Sequence, residues 1–148
     1  MPYEVLLPDG YLVSDDRACL DIDSVHRFLS EDSYWTPSRA RAITEKSLAN
    51  SLCVGLYAPD RAQAGFARIT TDYATAAHLG DVLVLPEHQG QGRGKAMVAA
   101  VLAHPELATV HRWSLTTRDA HTLYAQFGFV PVSSIENLAD NQMIRRKA

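Results

Sequence analysis

The chain has 148 residues, of which 47% are hydrophobic and 21% charged, and it carries a formal net charge of −3. That length predicts a single domain over residues 1–148, and the apolar content excludes a disordered chain. Basic residues do not outnumber acidic ones, which argues against nucleic-acid binding. No apolar run approaches the ~20 residues of a membrane span.

One strand and two helices are expected in the first third of the chain. Tyr11–Ala18 predicts a strand that runs into a polar turn. The apolar spacing within residues 21–32 predicts a helix that Asp21 or Asp23 caps. A break at Pro37 separates this helix from a second one.

The middle of the chain predicts three successive strands, within residues 51–58, 62–73 and 76–86. A glycine-rich loop and a third helix follow, and Pro105 ends that helix.

The last third predicts another helix between three further strands. The helix spans residues 120–127, with Asp119 as its cap and Gly128 as its C-terminal stop. The three strands are expected in residues 111–117, 129–133 and 141–146. This order of elements indicates a mixed sheet with helices on its faces.

Three alternating glycines, Gly90, Gly92 and Gly94, stand between the last central strand and the third helix. The first N–H groups of a helix lack internal partners and carry partial positive charge, so an anion binds well there. Glycines let it approach closely, and Arg93 and Lys95 add formal charge. The predicted ligand is a phosphate or pyrophosphate.

Two common phosphate-binding patterns do not fit this loop. The Walker pattern needs a glycine where Gln89 stands and a hydroxyl where Ala96 stands, which disfavours an NTPase. The third glycine of the dinucleotide pattern falls on Lys95 or Met97, and the loop comes late, after antiparallel-looking strands.

The loop instead resembles the acyl-CoA loop of the GNAT superfamily of N-acetyltransferases. Gln89–Gly94 (QGQGRG) is similar to that family's Q/R-x-x-G-x-G/A pattern, and Ala120–Phe129 (AHTLYAQFGF) to its A-x-x-L-Y-x-x-x-G-F block. Two residues depart from the family's pattern. Arg93 stands where an apolar residue is usual, and Thr117 where a helix-capping Asn is usual.

The resemblance implies an α/β (α+β) fold with a mixed, mostly antiparallel sheet of about seven strands and helices on both faces. It implies that an acetyl group passes from acetyl-CoA directly to a primary amine of a small molecule or peptide, without an acyl-enzyme. The residues implied to bind acetyl-CoA are Val82, Leu83, Val84, Gln89, Gly90, Gln91, Gly92, Arg93, Gly94, Lys95 and Thr117.

Two residues are candidates for proton transfer. The family block places its general acid at Tyr124, whose alternative role is packing on one helix face. Asp81, beside the segment implied to hold pantetheine, is the candidate base, and its alternative role is that of a turn residue after Gly80.

Four residues are candidates for binding the acceptor. Tyr34 and Trp35 are large aromatics in a polar helix break, so they line either a pocket or a small core under the loop. Asp72 and Tyr73 lie on a hairpin that borders the acceptor side in this family's fold, where they contact substrate or only form the turn. The net negative charge favours a cationic acceptor.

No metal site is expected, because no histidine has a metal-ligand spacing. Cys19 and Cys53 lie far from both motifs and are typical of reduced thiols in a cytoplasmic protein, so no nucleophilic cysteine is indicated. Dimers are common in the family, so the resemblance also allows a homodimer. The alternative function is a non-catalytic module that senses acyl-CoA and regulates a partner protein.

Overall fold

The computed structural model describes residues 1–147 of the chain. The chain forms two compact units, Met1–Thr116 and the residues from Thr117 onward. The single domain over residues 1–148 stays a prediction.

The first unit contains a six-stranded sheet in which the strands lie side by side in sequence order. The strands are β1 (Glu4–Leu6), β2 (Leu12–Ser14), β3 (Leu52–Tyr57), β4 (Gln63–Thr71), β5 (Ala76–Val84) and β6 (Arg112–Leu115). All neighbours pair antiparallel except β5 and β6, which are parallel. The mixed, mostly antiparallel sheet is therefore confirmed, with six strands instead of about seven. Sequence analysis misses β1, because three residues are too few to show an alternating pattern.

The described residues contain five α-helices, namely α1 (Ile22–Arg27), α2 (Arg41–Ala49), α3 (Arg93–Leu102), α4 (His121–Ala125) and α5 (Leu138–Asn141). The predicted cap of α1 is confirmed at Asp21, whose carboxylate accepts a hydrogen bond from the Ser24 N–H (3.1 Å). A wider turn, Phe28–Asp32, continues α1. No helix within residues 1–147 is both long and apolar enough to cross a membrane.

Helices cover both faces of the sheet, as predicted. One face packs against α1 and α2 in a buried cluster made of Val25, Leu29, Leu48, Cys53, Phe66 and Leu83. The helix α3 contacts β4 and β5 and buries Met97, Val98 and Val101. Every residue of β3 is buried, as expected of a central strand with both faces covered.

The strand β5 has two irregularities near its middle. Gly80 and Asp81 both lie opposite the single residue Arg68 of β4, which is a β-bulge. β6 pairs with β5 only as far as Leu79. From Gly80 to Val84, β5 therefore keeps a strand partner among the described residues on the β4 side alone.

The second unit differs from its prediction. The two closing strands are wrong: residues 129–133 run into a short turn, Val132–Ser134, and α5 ends at Asn141, after which residues 142–147 have no strand pairing among the described residues. Pro131 has no N–H to donate to a ladder. The second segment, NQMIRR, has apolar residues only at Met143 and Ile144, and an extended segment becomes a strand only beside a partner edge.

Candidate functional site

The glycine loop turns sharply into α3. Gly90 (φ 83°) and Gly92 (φ 74°) have left-handed backbones, and a Cβ on either would meet no atom within 4 Å. The first bond inside α3 runs from the Ala96 N–H to the Gly92 carbonyl (3.1 Å). The N–H groups of residues 93–95 therefore have no partner inside the helix and are the donors that an anion could use.

Two predicted loop residues use their side chains to hold the loop in place. The Arg93 guanidinium pairs with Asp9 (3.0 Å), donates to the His88 carbonyl (3.1 Å) and lies over the Tyr11 ring, 3.9 Å from its centroid. Gln89 donates to the carbonyl of Val84 at the end of β5 (2.7 Å). The charge of Arg93 is thus already paired, which leaves the exposed Lys95 as the freer cation at this helix start.

A cavity of about 280 Å³ lies beside the loop on the β1 side. Its lining residues are Leu7, Pro8, Asp9, Gln91, Gly92, Arg93 and Ala96. The same turn of backbone thus borders both the helix start and a surface recess.

The predicted pantetheine residues, Val82 to Val84, form the open edge of β5. The Leu85 N–H donates to the carbonyl of Ala64 in β4 (2.8 Å), so the backbone groups of Leu83, two residues back, also face β4. Val82 and Val84 then point theirs to the opposite edge, which β6 has left. This edge can pair with an extended ligand and leads into the glycine loop.

Asp81 lies on the bulge and is almost fully buried, with 1% of its surface exposed. Its carboxylate accepts three hydrogen bonds, from Trp35 Nε1 (2.9 Å), Arg39 Nη1 (3.0 Å) and Arg68 Nε (2.8 Å). Burial alone raises the pKa of this carboxyl, but the hydrogen bonds and charges of these partners outweigh burial and hold its pKa below the usual range. The predicted base role stays a prediction, and these contacts do not favour it.

Tyr34 and Trp35 lie in a loop between α1 and α2, residues 33–40, which we call the acceptor loop. Ser33 and Thr36 stabilise it, because both hydroxyls donate to the Leu29 carbonyl (2.6 and 3.0 Å). Trp35 packs against the buried cluster and binds Asp81, whereas Tyr34 is 41% exposed. The packing of Trp35 on the buried cluster favours the core alternative for that residue, and acceptor binding by Tyr34 stays a prediction.

The hairpin residues Asp72 and Tyr73 lie before β5 begins, and the Asp72 carboxylate organises the turn itself. It accepts hydrogen bonds from Ala74, Thr75 and Ala76 of the same turn. These bonds, with those to Thr75 the strongest, lower the pKa of Asp72 far below its usual range. Tyr73 has a left-handed backbone (φ 62°) and is 45% exposed. The geometry favours the turn-forming alternative for Asp72.

His78 is a titratable residue near Arg68 that sequence analysis does not single out. It lies on β5, opposite Thr70 of β4, on the sheet face that carries Arg68. Its Nδ1 is 2.9 Å from the Ser114 hydroxyl of β6, and the side chain is open to solvent. Partial burial, and then the positive charge of Arg68, lower the pKa of this imidazole. A lone histidine without a motif gives no signal in sequence; only the pairing with β4 and β6 places it.

The second unit carries Tyr124 and Thr117. Tyr124 is 8% exposed, and its ring packs edge to face against Phe129 with centroids 5.8 Å apart. Gly128 (φ 87°) ends this helical segment, as predicted, and the Phe129 N–H donates to the Tyr124 carbonyl (3.3 Å). The predicted Asp119 cap is wrong: the Ala120 N–H donates to the Thr117 hydroxyl (3.0 Å), the position where the resemblance placed a capping residue.

One cluster has the residue types of a metal site, namely Asp15, His104 and Glu106. Both ring nitrogens of His104 already have partners, Asp15 at Nε2 (2.8 Å) and the Glu106 N–H at Nδ1 (3.2 Å). With Nδ1 accepting that bond, Nε2 carries the hydrogen and donates to Asp15. Neither nitrogen offers a free lone pair to a metal.

The model of the GNAT acetyltransferase domain matches residues 50–131, which extend from β3 to beyond α4. This chain belongs to the GNAT superfamily of acetyltransferases. The resemblance of the two motifs is thereby confirmed, and GNAT acetyltransferases act in general on amines.

Solved structures and curated proteins agree with this family. A GNAT-family acetyltransferase crystal structure from Xanthomonas campestris pv. campestris is 44% identical, with a TM-score of 0.85 and coverage of 93% of both chains. A Gibberella zeae protein named as an acetyltransferase is 34% identical and covers 80% of this chain and 78% of its own. The Escherichia coli ribosomal-protein-S18-alanine N-acetyltransferase, 19% identical with a TM-score of 0.64 over 80% of this chain and 76% of that one, shares the GNAT fold alone.

Proposed function

We propose that this GNAT protein transfers an acetyl group from acetyl-CoA directly to a primary amine of a small molecule or peptide. The observation that carries the proposal is the continuity of the open β5 edge with the glycine loop. The open β5 edge suits an extended pantetheine arm, and the glycine loop suits a pyrophosphate.

The binding roles follow from this geometry. The backbone of Val82 and the N–H of Val84 pair with the pantetheine amides, since the Val84 carbonyl already accepts from Gln89. The N–H groups at the start of α3, with Lys95 nearby, hold the pyrophosphate. Arg93 and Gln89 contribute by fixing the loop. The acetyl end then lies near the bulge, where a β5 N–H donates to the developing oxyanion.

Deprotonation of the amine is assigned to His78 in this proposal, in place of Asp81. A base needs a free lone pair and a neutral state at working pH. The carboxylate of Asp81 is occupied by three donors, whereas the imidazole of His78 is solvent-accessible and its lowered pKa keeps it neutral. Asp81 is then a positioning residue that ties the acceptor loop to the bulge.

Tyr124 donates the proton that the leaving thiolate takes up, as the family block implies. Neither cysteine suits an acyl-enzyme. Burial raises the pKa of the Cys53 thiol, and slight burial together with the nearby Asp16 carboxylate raises that of Cys19. Both are held as thiols, and the thiolate is the nucleophile. No metal has a role in the proposed reaction.

The experiment is amine-dependent release of CoA thiol from acetyl-CoA, measured over a broad panel of primary amines. An acetyltransferase releases thiol in proportion to the amine that it acetylates. The sensing module, the alternative function, binds acetyl-CoA and raises the melting temperature without releasing thiol.

A further inference from the structure

The bulge of β5 carries an uneven set of charges. Arg39 and Arg68 both bind the one carboxylate of Asp81, and their side chains are each only 17% exposed. Asp81 stays ionised because its pKa is lowered, so the three groups sum to one positive charge. His78, which faces the same cluster, is neutral and therefore does not change this net charge.

Most donors of Arg39 remain available. A guanidinium has five N–H groups, and Arg39 uses one nitrogen, Nη1, on Asp81. No other partner of its side chain occurs within residues 1–147. Its unused nitrogens are not sealed away, since the one buried and unsatisfied side-chain atom in that part of the chain is the Tyr57 hydroxyl. Arg39 therefore keeps N–H donors that are unused and not sealed from solvent.

Arg68 has more of its N–H donors occupied than Arg39 has. Its Nε binds Asp81, and its Nη1 lies 3.3 Å from both the Ser51 and the Thr70 hydroxyls. The carboxylate of Asp81 holds both guanidiniums in fixed orientations, which lowers the entropy that a ligand loses when it binds them.

We propose that this cluster binds a carboxylate of the acceptor, so that the preferred substrates are amino acids, with the amine and the carboxylate in one small molecule. This inference rests on the proposed function. The fork of Arg39 takes the carboxylate in a bidentate contact, and the amine reaches the acetyl group beside the bulge. The local charge thus reverses the preference for a cationic acceptor that the net charge suggests.

The test compares each amino acid with its own amide, for instance glycine with glycinamide and β-alanine with β-alaninamide. Thiol release is measured at equal concentrations of the unprotonated amine, because the amide lowers the pKa of the neighbouring amine. We expect wild type to favour the acids by about tenfold or more in kcat/KM, the worth of one charge-assisted contact. Arg39→Gln should lose that preference through KM, and Arg39→Lys should keep part of it.

Arg41→Gln is the matched control. Arg41 lies two residues further along the chain, at the start of α2, and pairs with Asp23 and Glu45 on the surface, so its loss should leave the preference intact. A wild type that uses amides as well as acids, or an Arg39→Gln variant that keeps the preference, overturns the inference while leaving acetyl transfer standing. Failure of every amine to release thiol overturns the proposed function itself.

A binding measurement does not depend on turnover. Amino acids, added to the protein with CoA, should raise its melting temperature, whereas the matching amides should raise it less. Arg39→Gln should remove the difference and Arg41→Gln should keep it. Equal shifts for acids and amides in wild type contradict a carboxylate site.

Discussion

At the scale of single residues, the centre of the candidate site is a buried carboxylate, Asp81, whose three partners come from two parts of the chain. Trp35 and Arg39 belong to the acceptor loop, and Arg68 belongs to β4. A buried charge is tolerable only when it is paired and hydrogen-bonded, and Asp81 meets this condition through all three. The side chain therefore joins the loop to the bulge.

Asp81→Asn should destabilise the protein by about 2 kcal/mol at pH 7 in urea unfolding, because it leaves two guanidiniums without a counter-charge. The pKa of Asp81 is lowered in the folded state. The stabilisation is therefore complete above the unfolded pKa and lost as pH falls through the lower folded value. The difference between wild type and variant should shrink below about pH 4.

Asp23→Asn, which breaks an exposed pair with Arg41, is the control and should cost under about 0.5 kcal/mol. An equal cost for the two variants contradicts the assigned role.

His78→Gln tests the assignment of the base. Activity of wild type should rise with pH as the imidazole loses its proton, with an apparent pKa below the ordinary histidine range. The variant should lose about 10²-fold in kcat and lose this acid limb. His111→Gln, which changes an exposed histidine just before β6, should keep both the wild-type kcat and the acid limb of the pH profile. An unchanged pH profile in His78→Gln removes His78 from the mechanism.

Tyr124→Phe keeps the ring that packs on Phe129 and removes only the hydroxyl. If Tyr124 is the acid, kcat should fall by ~10²- to 10⁴-fold while KM and the free energy of unfolding change little. Turnover within about threefold of wild type, with the cost seen in stability instead, indicates a packing role.

At the scale of elements, the site depends on how β5 ends. The bulge turns Asp81 towards Arg68, the early departure of β6 leaves one edge of β5 open, and Gln89 fastens the loop to the last residue of the strand. The end of β5, the loop and the start of α3 thus form one continuous surface.

Gly92 tests the loop, because its backbone is left-handed and caps α3. Gly92→Ala adds only backbone strain, whereas Gly92→Asp also places a negative charge where the pyrophosphate is expected. Acetyl-CoA should raise the melting temperature of wild type and, to a lesser degree, of the alanine variant, but not of the aspartate variant. Equal stabilisation of all three folded proteins removes the loop from the binding site.

Some of these elements can be predicted from the sequence and others cannot. Spacing and glycines are local signals, so the order from β2 to α4 and the loop at Gly90–Gly94 can be predicted from the chain alone. Arg39, Arg68 and Asp81 are separated by 29 and 13 positions, and only the sheet pairing and the acceptor loop bring them together. The two predicted closing strands do not form, because apolar residues that are close in sequence do not provide the neighbouring strand with which a strand must pair.

At the scale of the whole molecule, net charge is a poor guide to the site. The chain is acidic overall, yet the bulge holds two arginines around one carboxylate. Charge at a binding site depends on the few groups within a Debye length, about 8 Å at physiological salt, and not on the sum over the chain.

The most direct test of acetyl transfer follows an isotope-labelled acetyl group from acetyl-CoA by rapid quench and mass spectrometry, with a panel of amines that includes amino acids. We predict that the label appears on an amine in amounts equal to the CoA released, while intact protein carries no acetyl group at any time point. Bound acetyl-CoA that never yields a labelled amine contradicts the account. An acetylated cysteine whose label later moves to the amine contradicts the direct route.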